Sequence, residues 1–341
     1  MNRLSDREKL VLEAVVRNYI LTSNPVSSSL IARNSHLAFS PATIRNILGK
    51  LEEKGYIYQP HPSAGRVPTA LGYRIYVNEM MGRTRLPNAF KEKIAEAVKK
   101  KKDGVDSVLK EATRILAHLS SQLSVITSPH MEEGIFHHMD ITPLNSERLL
   151  LIISIKSGMV KTIMLELRST INPAELDSLK QLLNERLQGL RIKEIREKFH
   201  QIVSDVEVDR MGLLRLFIQT APKIFNFNQD ADVYLTGTHN FLRQPDFSDQ
   251  QKVSGVVEVL EDRKVIVHLL DKSTERSPVE IKIGEEIGEK RMINCSIIAA
   301  RYQIGDVVGS LGIIGPMRMD YSHLIPLVDF TAHMLSKTYQ E

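Results

Sequence analysis

One short segment near the N-terminus combines the residue types that contact nucleic acid. It begins at Ser40 and Pro41, a pair typical of a helix start, because the serine hydroxyl can accept a hydrogen bond from a first-turn N–H and proline has no N–H to leave unpaired. Apolar residues then recur at helical spacing and indicate a core-facing side: Ile44, Ile47, Leu48 and Leu51. The opposite side carries small, amide and cationic residues: Ala42, Asn46, Gly49 and Lys50, flanked by Thr43 and Arg45. These groups suit a close approach to a duplex, with hydrogen bonds to base edges and ion pairs with phosphates.

Three predicted helices position this segment. The first begins at a capping box formed by Ser5 and Glu8, in which each side chain can bond the backbone N–H of the other residue. Apolar residues repeat at helical spacing until the Ser-Asn-Pro stretch at 23–25 ends the helix. The second and third helices are predicted over 27–33 and 41–54, and Gly55 stands where a helix commonly ends.

A two-stranded ribbon is predicted directly after the third helix. Residues 56–60 have strand character, 61–65 form a tight loop, and 66–68 return as the second arm. Three helices followed by such a ribbon is the order of a winged helix, which is a helix-turn-helix variant that places its third helix in the major groove. In the ribbon, His61 and Arg66 have hydrogen-bond donors to offer to an adjacent DNA backbone. A further helix is predicted to start at Thr69 as N-cap and to run to about residue 81.

The charge of the chain is unevenly distributed. The 341 residues carry 45 Lys and Arg against 41 Asp and Glu, a net charge of +4. Residues 1–102 alone hold 18 Lys and Arg against 8 Asp and Glu, a net charge of +10, which leaves −6 for residues 103–341. Such asymmetry favours a polyanion as the partner of the N-terminal third. The basic run 99–102, however, has the alternative interpretation of a solvated helix end or linker.

Catalytic motifs are missing from the sequence. Four glycines cluster near a predicted strand without matching a P-loop or a dinucleotide-binding fingerprint: Gly305, Gly309, Gly312 and Gly315. The sequence also has no G-x-S-x-G, H-E-x-x-H or C-x-x-C motif. The active loop of a biotin ligase, an enzyme sometimes found behind a winged helix, is missing too. We therefore expect no catalytic residue and no enzymatic activity.

No metal site or cofactor is expected either. The single cysteine, Cys295, stands in an apolar run typical of a buried, inert thiol, and one cysteine fits a reducing compartment. His130, His137 and His138 lie close together in the sequence, but His137 and His138 are adjacent and in a strand would point to opposite faces. No apolar stretch approaches the length of a membrane span, and no signal-peptide pattern begins the chain. A cytoplasmic location, with no membrane partner, is the expectation.

The remaining two thirds alternate between strand and helix patterns. The run 149–155 is nearly all apolar, which predicts a central strand covered on both faces. A block of helices separates two sets of strands, which suggests one mixed sheet with an insertion. Helices are predicted over 89–121 with a break at 103–104, 173–187, 192–203, 208–224, 249–261 and 321–338. Strands are predicted over 123–127, 134–142, 148–155, 160–167, 264–270, 279–283, 295–302 and 306–314.

Long stretches of the N-terminal third closely resemble the heat-inducible transcription repressor family HrcA. The most diagnostic stretch is the unusual run Gln-Pro-His-Pro-Ser-Ala-Gly-Arg-Val-Pro-Thr at 59–69. The other matching runs are Val-Ser-Ser at 26–28, Ser-Pro-Ala-Thr-Ile-Arg-Asn at 40–46 and Leu-Glu-Glu-Lys-Gly-Tyr-Ile at 51–57. The layout of the rest of the chain is similar to that family, with weaker motifs.

The resemblance implies an α+β multidomain chain. Its parts would be a winged-helix DNA-binding domain at 1–85, a GAF-like mixed α/β domain at 86–172 and 264–341, and an inserted dimerising α+β domain at 173–263. It implies a homodimer that binds an inverted-repeat operator of the CIRCE type, represses chaperone operons of the groE and dnaK type, and is released on heat stress. It also implies that the GroEL chaperonin supports the active repressor. The expected DNA-binding residues are Ser40, Thr43, Arg45, Asn46, Lys50, His61 and Arg66.

Two alternatives remain open at this stage. A winged-helix regulator could instead sense a small effector in its GAF-like domain. A helix-turn-helix unit can also serve as a protein-interaction module without contacting DNA. Thermal-shift screening with metabolites separates the effector-sensing alternative from the chaperonin-linked repressor, because a ligand that favours the folded state raises its apparent stability.

Overall fold

A computed structural model of the chain shows a mixed α/β fold with several antiparallel sheets. The structure describes residues 4–34, 37, 39–82, 84–99, 104–166, 173–205, 213–227, 232–248, 250–271 and 278–339. Among these residues, no helix has both the length and the apolar character needed to cross a membrane.

The described residues between 4 and 80 form an N-terminal unit whose elements match the predicted order. Its helices are α1 (Asp6–Thr22), α2 (Ser28–Asn34), α3 (Pro41–Glu53) and α4 (Ala70–Ile75), and α4 continues into a π-helical turn at Tyr76–Met80. Strands β1 (Ile57–Tyr58) and β2 (Val67–Pro68) form the antiparallel ribbon between α3 and α4. The three helices and the ribbon are therefore confirmed as secondary structure.

The helices of the N-terminal unit are held by a shared apolar core. Val11 and Val15 of α1, Ile31 of α2, and Ile44 and Leu51 of α3 have no exposed surface. Burying each such side chain contributes about 1.5 to 3 kcal/mol relative to leaving it in water. This core fixes the rotation of α3 about its axis, and thereby decides which of its side chains face outward.

The remaining helices and strands form a larger body. The predicted helical stretch after the N-terminal unit is two helices separated at Gly104, whose φ of +84° is a backbone conformation that favours glycine. The helices of the body are α5 (Asn88–Val98), α6 (Val105–Ser120), α7 (Pro173–Leu187), α8 (Ile192–Ile202), α9 (Leu213–Ile224), α10 (Thr238–Leu242), α11 (Gln250–Glu261), α12 (Arg263–Asp271) and α13 (Tyr321–Thr338). The strands are β3 (Leu123–Thr127), β4 (Phe136–Asn145), β5 (Arg148–Ile155), β6 (Val160–Glu166), β7 (Val233–Thr236), β8 (Val279–Ile283), β9 (Cys295–Ile304) and β10 (Val307–Pro316).

The strands of the body form two separate antiparallel sheets. Five strands follow the order β7-β3-β10-β9-β8, and three follow the order β4-β5-β6. The expectation of one mixed sheet is therefore wrong. Strand β7 had no counterpart in the prediction, and it pairs with β3 across more than 100 residues of sequence, from Ser124 to Thr236.

The pairing of β7 with β3 bears on where the insertion lies. The three-stranded sheet and helices α7 to α9 all fall between these two strands in the sequence. The domain boundaries at 86–172, 173–263 and 264–341 stay predictions. We propose that the insertion instead runs from about 128 to 232, because both ends of that segment join neighbouring strands of the five-stranded sheet.

Two further predictions about the body are corrected by the structure. Residues 264–270 belong to helix α12 and not to a strand, and Asp262 caps this helix by accepting hydrogen bonds from the amides of Lys264 and Val265 at 3.0 and 3.3 Å. Strand β5 is central in its sheet, but its residues alternate between buried and half-buried, so it is not covered equally on both faces. Antiparallel sheets commonly have one face in the core and one towards solvent.

The start of α1 is tied to the end of α3 by one buried carboxylate. Glu8 is 7% exposed, accepts the backbone N–H of Ser5 at 2.8 Å, and pairs with the Lys54 Nζ at 2.7 Å. The hydrogen bond from Lys54, followed by that from Ser5, lowers the pKa of Glu8 from its ordinary 4.5 to about 2. Since the folded pKa is the lower one, the contribution of Glu8 to stability is present above about pH 4.5 and is lost as the pH falls towards 2.

We therefore predict that Glu8→Gln loosens the packing of α1 on α3 by about 1 to 3 kcal/mol at pH 7, because the half-buried Lys54 ammonium loses its anion. Hydrogen exchange of peptides covering α1 and α3 measures this local stability. The difference from the unmodified protein should shrink as the pH falls from 5 to 3. Glu53→Gln, at an exposed position of α3, is the matched control and should change exchange little. Equal protection in the Glu8 variant at pH 7 contradicts the prediction.

Candidate nucleic-acid interface

Helix α3 has one buried face and one face open to solvent. Its apolar row is buried: Ile44, Ile47, Leu48 and Leu51. On the other side Ala42, Arg45, Asn46 and Lys50 are exposed, and Gly49 is half-exposed with no atom within 4 Å of the place where a Cβ would stand. The structure therefore brings the predicted base-contacting and phosphate-contacting side chains together on one accessible helix face.

The residues at the start of α3 have a local structural role. The Ser40 Oγ accepts the Thr43 backbone N–H at 3.1 Å and lies 3.0 Å from the Thr43 Oγ1. These contacts cap the first turn of the helix and leave Ser40 exposed and Thr43 half-buried. Both hydroxyls stand at the same end of the helix as Arg45 and Asn46, at the helix terminus whose dipole favours an anion.

Five of the nine Lys and Arg side chains that the structure describes between residues 4 and 80 form ion pairs within the protein. Four ion pairs lie inside the unit and one joins it to the body: Lys9–Glu79, Arg17–Glu13, Lys54–Glu8, Arg66–Glu52 and Arg74–Glu286. Among the described residues between 4 and 80, three cations have no ion-pair partner: Arg33 on α2, and Arg45 and Lys50 on α3. The Arg7 guanidinium lies over the Phe39 ring, 5.7 Å from its centroid. The two exposed cations of α3 are thus available for an external anion.

The ribbon after α3 is built as a rigid loop. Its Gln59 Nε2 donates to the backbone oxygens of Pro62 and Ala64, both at 2.8 Å. A Cβ on Gly65 would lie 2.4 Å from the backbone of Val26, so glycine is needed where the ribbon crosses the chain before α2. His61 is exposed at the turn, where the sequence placed it as a candidate contact.

Arg66 differs from the other predicted contact residues. Its guanidinium pairs with Glu52 of α3 at 2.9 Å, its side chain is 20% exposed, and its backbone forms a β-bridge with Val26. A phosphate would have to compete with the Glu52 carboxylate for this guanidinium. The observed geometry favours a positioning role, in which Arg66 ties the ribbon to helix α3.

Glu52 and Gln59 were not singled out by sequence reasoning. Glu52 lies on α3, and its partner Arg66 in the ribbon stands 14 positions later. Gln59 belongs to the diagnostic run at 59–69, where Pro60 and Pro62 follow it on either side of His61. Glu52 holds the ribbon against α3, and Gln59 holds the turn of the ribbon, but neither side chain belongs to the exposed face of α3.

The basic surplus is divided between the N-terminal unit and the segment after it. Residues 1–80 hold 10 Lys and Arg against 6 Asp and Glu, whereas residues 81–102 hold 8 against 2. The basic surplus therefore extends beyond the helices and the ribbon into the segment 81–102. Helix α3 is distinguished by Arg45 and Lys50, which stand on either side of the Asn46 amide and have no ion-pair partner among the described residues.

The residues considered for other chemistry are packed as structural elements. Burial raises the pKa of the Cys295 thiol to about 12, which keeps it protonated and unreactive at neutral pH. Gly309 and Gly312 lie in β10, where a Cβ would stand 2.5 Å from the Tyr302 ring and 2.8 Å from the Ile298 oxygen. No cluster of three or more His, Cys, Asp or Glu suited to a metal ion occurs in the described part of the chain.

Comparisons with known proteins agree on one family. The family model described as the HrcA protein C-terminal domain matches residues 106–325. The heat-inducible transcription repressor HrcA of Chlorobium chlorochromatii (strain CaD3) is 37% identical over 339 residues, which cover 98% of this chain and 97% of that protein. HrcA of Symbiobacterium thermophilum is 35% identical over 336 residues, with 98% of each chain covered.

A solved structure has the same overall fold. It is described as a hypothetical protein at 2.2 Å resolution, is 26% identical, covers 99% of both chains, and superposes with a TM-score of 0.62. The relatives and the solved structure cover nearly the whole chain, including the N-terminal unit, whereas the family model covers residues 106–325. The chain belongs to the HrcA family of heat-inducible transcription repressors, which are regulators of transcription and not enzymes.

Proposed function

We propose that this protein is a cytoplasmic, dimeric repressor that binds an inverted-repeat operator of the CIRCE type and silences chaperone operons of the groE and dnaK type. The observation that carries the proposal is the open face of α3, where Asn46 lies between Arg45 and Lys50 and neither cation has an ion-pair partner among the residues that the structure describes. In this proposal the N-terminal unit is a winged-helix head, α3 enters the major groove, and the ribbon is the wing. The five-stranded sheet with its helices corresponds to the GAF-like domain.

The contacts of the head divide into base readout and phosphate binding. An asparagine amide can bond the N6 and N7 edge of adenine with two hydrogen bonds, and an arginine can bond the O6 and N7 edge of guanine in the same way. We assign these roles to Asn46 and Arg45. Lys50 and His61 bind phosphates, and the helix start at Ser40 and Thr43 offers hydroxyl and backbone donors to the same strand. Arg66 holds the wing in place through Glu52.

The outer face of the three-stranded sheet supplies the dimer contact. Leu150 and Ile152 of β5 are half-buried there, and Val160 and Met164 of β6 are each 56% exposed. Leu150 stands directly opposite Met164, so these apolar side chains form one patch on a sheet whose other face is buried. A patch of this kind on a single chain is typical of a protein interface. A two-fold axis through it would present two heads to an inverted repeat.

Regulation is the part of the proposal that rests on the family resemblance alone. In that scheme the GroEL chaperonin maintains the active repressor, and unfolded protein that occupies the chaperonin at high temperature weakens repression. A gel-shift titration against an inverted repeat and a scrambled duplex, with and without chaperonin, tests operator preference and chaperonin dependence in one series. The effector-sensing alternative stays a prediction.

Asn46→Ala should relax the preference for the operator and cost about 1 to 3 kcal/mol on the specific duplex, because one bidentate base contact is lost. Fluorescence anisotropy against the inverted repeat and a scrambled duplex measures both affinities. Asn78→Ala, at an exposed amide outside α3, is the matched control. Equal losses on the two duplexes would remove Asn46 from base readout.

Lys50→Gln should weaken binding to all duplexes similarly and reduce the slope of log affinity against log salt by about one for each bound head, and so by about two for a dimer on the inverted repeat, because each head loses one phosphate contact. The measurement is a salt titration from low to physiological ionic strength. Lys198→Gln, an exposed lysine on α8 in the body, should leave the slope unchanged. A slope that stays the same in the Lys50 variant excludes a phosphate contact there.

Met164→Lys should convert the dimer to a monomer, because a charge at the centre of an apolar contact loses its water without gaining a partner. Light scattering coupled to gel filtration measures the mass. Val308→Lys introduces the same charge at an exposed apolar position of β10, outside the three-stranded sheet, and should leave the dimer intact. An undiminished dimer in the Met164 variant places the interface elsewhere.

A further inference from the structure

Helix α4 is one of the elements through which the N-terminal unit meets the body, and one apolar cluster extends across the junction. The Tyr73 ring packs on the Tyr321 ring with centroids 6.2 Å apart, and both side chains are fully or almost fully buried. The Tyr321 hydroxyl is anchored in the body, 2.7 Å from the Ser296 hydroxyl and 2.6 Å from the Met317 oxygen to which it donates. The contact between the N-terminal unit and the body, which we call the joint, thus has an apolar centre. Apolar contacts are not directional, so this centre alone does not fix the angle between the two parts.

Arg74, the next residue along α4, adds directional hydrogen bonds to Glu286 and Ile281, which we call the clip. Its guanidinium forms a bidentate pair with Glu286, with the Nε–Oε1 distance at 2.8 Å, and its Nη2 also donates to the Ile281 oxygen at 2.7 Å. Glu286 is itself held by the backbone N–H of Ile283 at 2.9 Å. Ile281 and Ile283 belong to β8, the last strand of the five-stranded sheet. Arg74 therefore fastens α4 to the outer edge of that sheet with planar, angle-dependent hydrogen bonds.

Beside the clip, the two parts of the molecule are separated by a cleft of about 730 Å³. Val77 and Met81 line it from the side of α4, and Ile281 and Ile325 line it from β8 and α13. The cleft therefore interrupts the packing between the N-terminal unit and the body on this side. Specific contacts beside such a gap restrict the relative movement of two parts of a chain.

The docked arrangement does not cover the DNA-contacting surface. Arg45, Asn46, Lys50 and His61 remain exposed while Arg74 is engaged with Glu286. The clip is therefore compatible with DNA binding and does not block it. The Arg74–Glu286 pair instead fixes the angle between α3 and the body. In a dimer, the two bodies would connect this head to the head of the second chain.

We propose that Arg74, acting through Glu286, is a positioning residue that determines which operator spacing the repressor accepts. The inference rests on the proposed function, since it requires a dimer with two DNA-binding heads. Two heads held at a fixed angle by a rigid body match one separation of half-sites, and the second head then binds at a high effective concentration. A head freed from the clip still binds its own half-site, but it loses this gain and tolerates other separations.

The test is Arg74→Ala, measured on a series of inverted repeats whose half-sites are moved apart in steps up to about half a helical turn, roughly 5 base pairs, and on an isolated half-site. The unmodified protein should prefer one spacing by about tenfold or more. The variant should bind that spacing more weakly and flatten the preference across the series, while its affinity for the isolated half-site stays the same. Glu286→Gln, which preserves the shape of the side chain, should have the same effect in smaller measure.

Arg114→Ala is the matched control. Arg114 forms an equally bidentate pair with Glu111, at 2.8 and 2.7 Å, but within one helix of the body. It should leave the spacing preference unchanged. Hydrogen exchange of the segment 279–287 gives a readout without DNA, because it should rise in the Arg74 and Glu286 variants and stay the same in the Arg114 variant.

The outcomes separate the two proposals. An unchanged spacing preference in the Arg74 and Glu286 variants, an equal loss on the isolated half-site, or tighter binding overturns the positioning role while operator binding stands. If the unmodified protein does not distinguish the inverted repeat from a scrambled duplex, the proposed function fails and the positioning role fails with it.

Discussion

The burial of one face of helix α3, with the opposite face left open to solvent, is the constraint on which the functional surface depends. One row of four apolar side chains must enter the core of the N-terminal unit, and this sets the rotation of the helix and presents Arg45, Asn46 and Lys50 to solvent. Two ion pairs reinforce that orientation, because Lys54 at the end of the helix is held by Glu8 of α1 and Glu52 is held by Arg66 of the ribbon. The same pairs neutralise cations that would otherwise compete with the α3 face for an anionic partner. Packing and charge together thus leave the exposed face of α3 available to an anionic partner.

Much of the N-terminal unit was predictable because its signals are local. The capping box at Ser5 and the Ser-Pro start at Ser40 each act within one helical turn, and the structure contains both caps. The π-helical continuation of α4 was not predictable, but the predicted extent of that helix to about residue 81 agrees with the turn at Tyr76–Met80. The open face of α3 followed from the spacing of its apolar residues alone.

The body was less predictable because its strands pair over long distances. The β-branched run at 264–270 suggested a strand, whereas the spacing of Ile266, Leu269 and Leu270, all buried, and the cap at Asp262 specify a helix. Strand β7 is four residues long and becomes recognisable only through its pairing with β3. Arg66 and Arg74 illustrate the same limit for side chains. Their carboxylate partners stand 14 and 212 positions away, so sequence alone placed Arg66 on a phosphate and gave Arg74 no role.

Packing inside the N-terminal unit fixes the exposed face of α3, and we propose that the Arg74–Glu286 pair fixes the angle between that unit and the body. We propose above all that the exposed face of α3 reads a specific inverted repeat. The most direct test is a salt titration of the unmodified protein against the inverted repeat and a scrambled duplex of equal length. We expect tighter binding to the inverted repeat at every salt concentration, with both affinities falling as salt rises. Equal affinities for the two duplexes at all salt concentrations would contradict it.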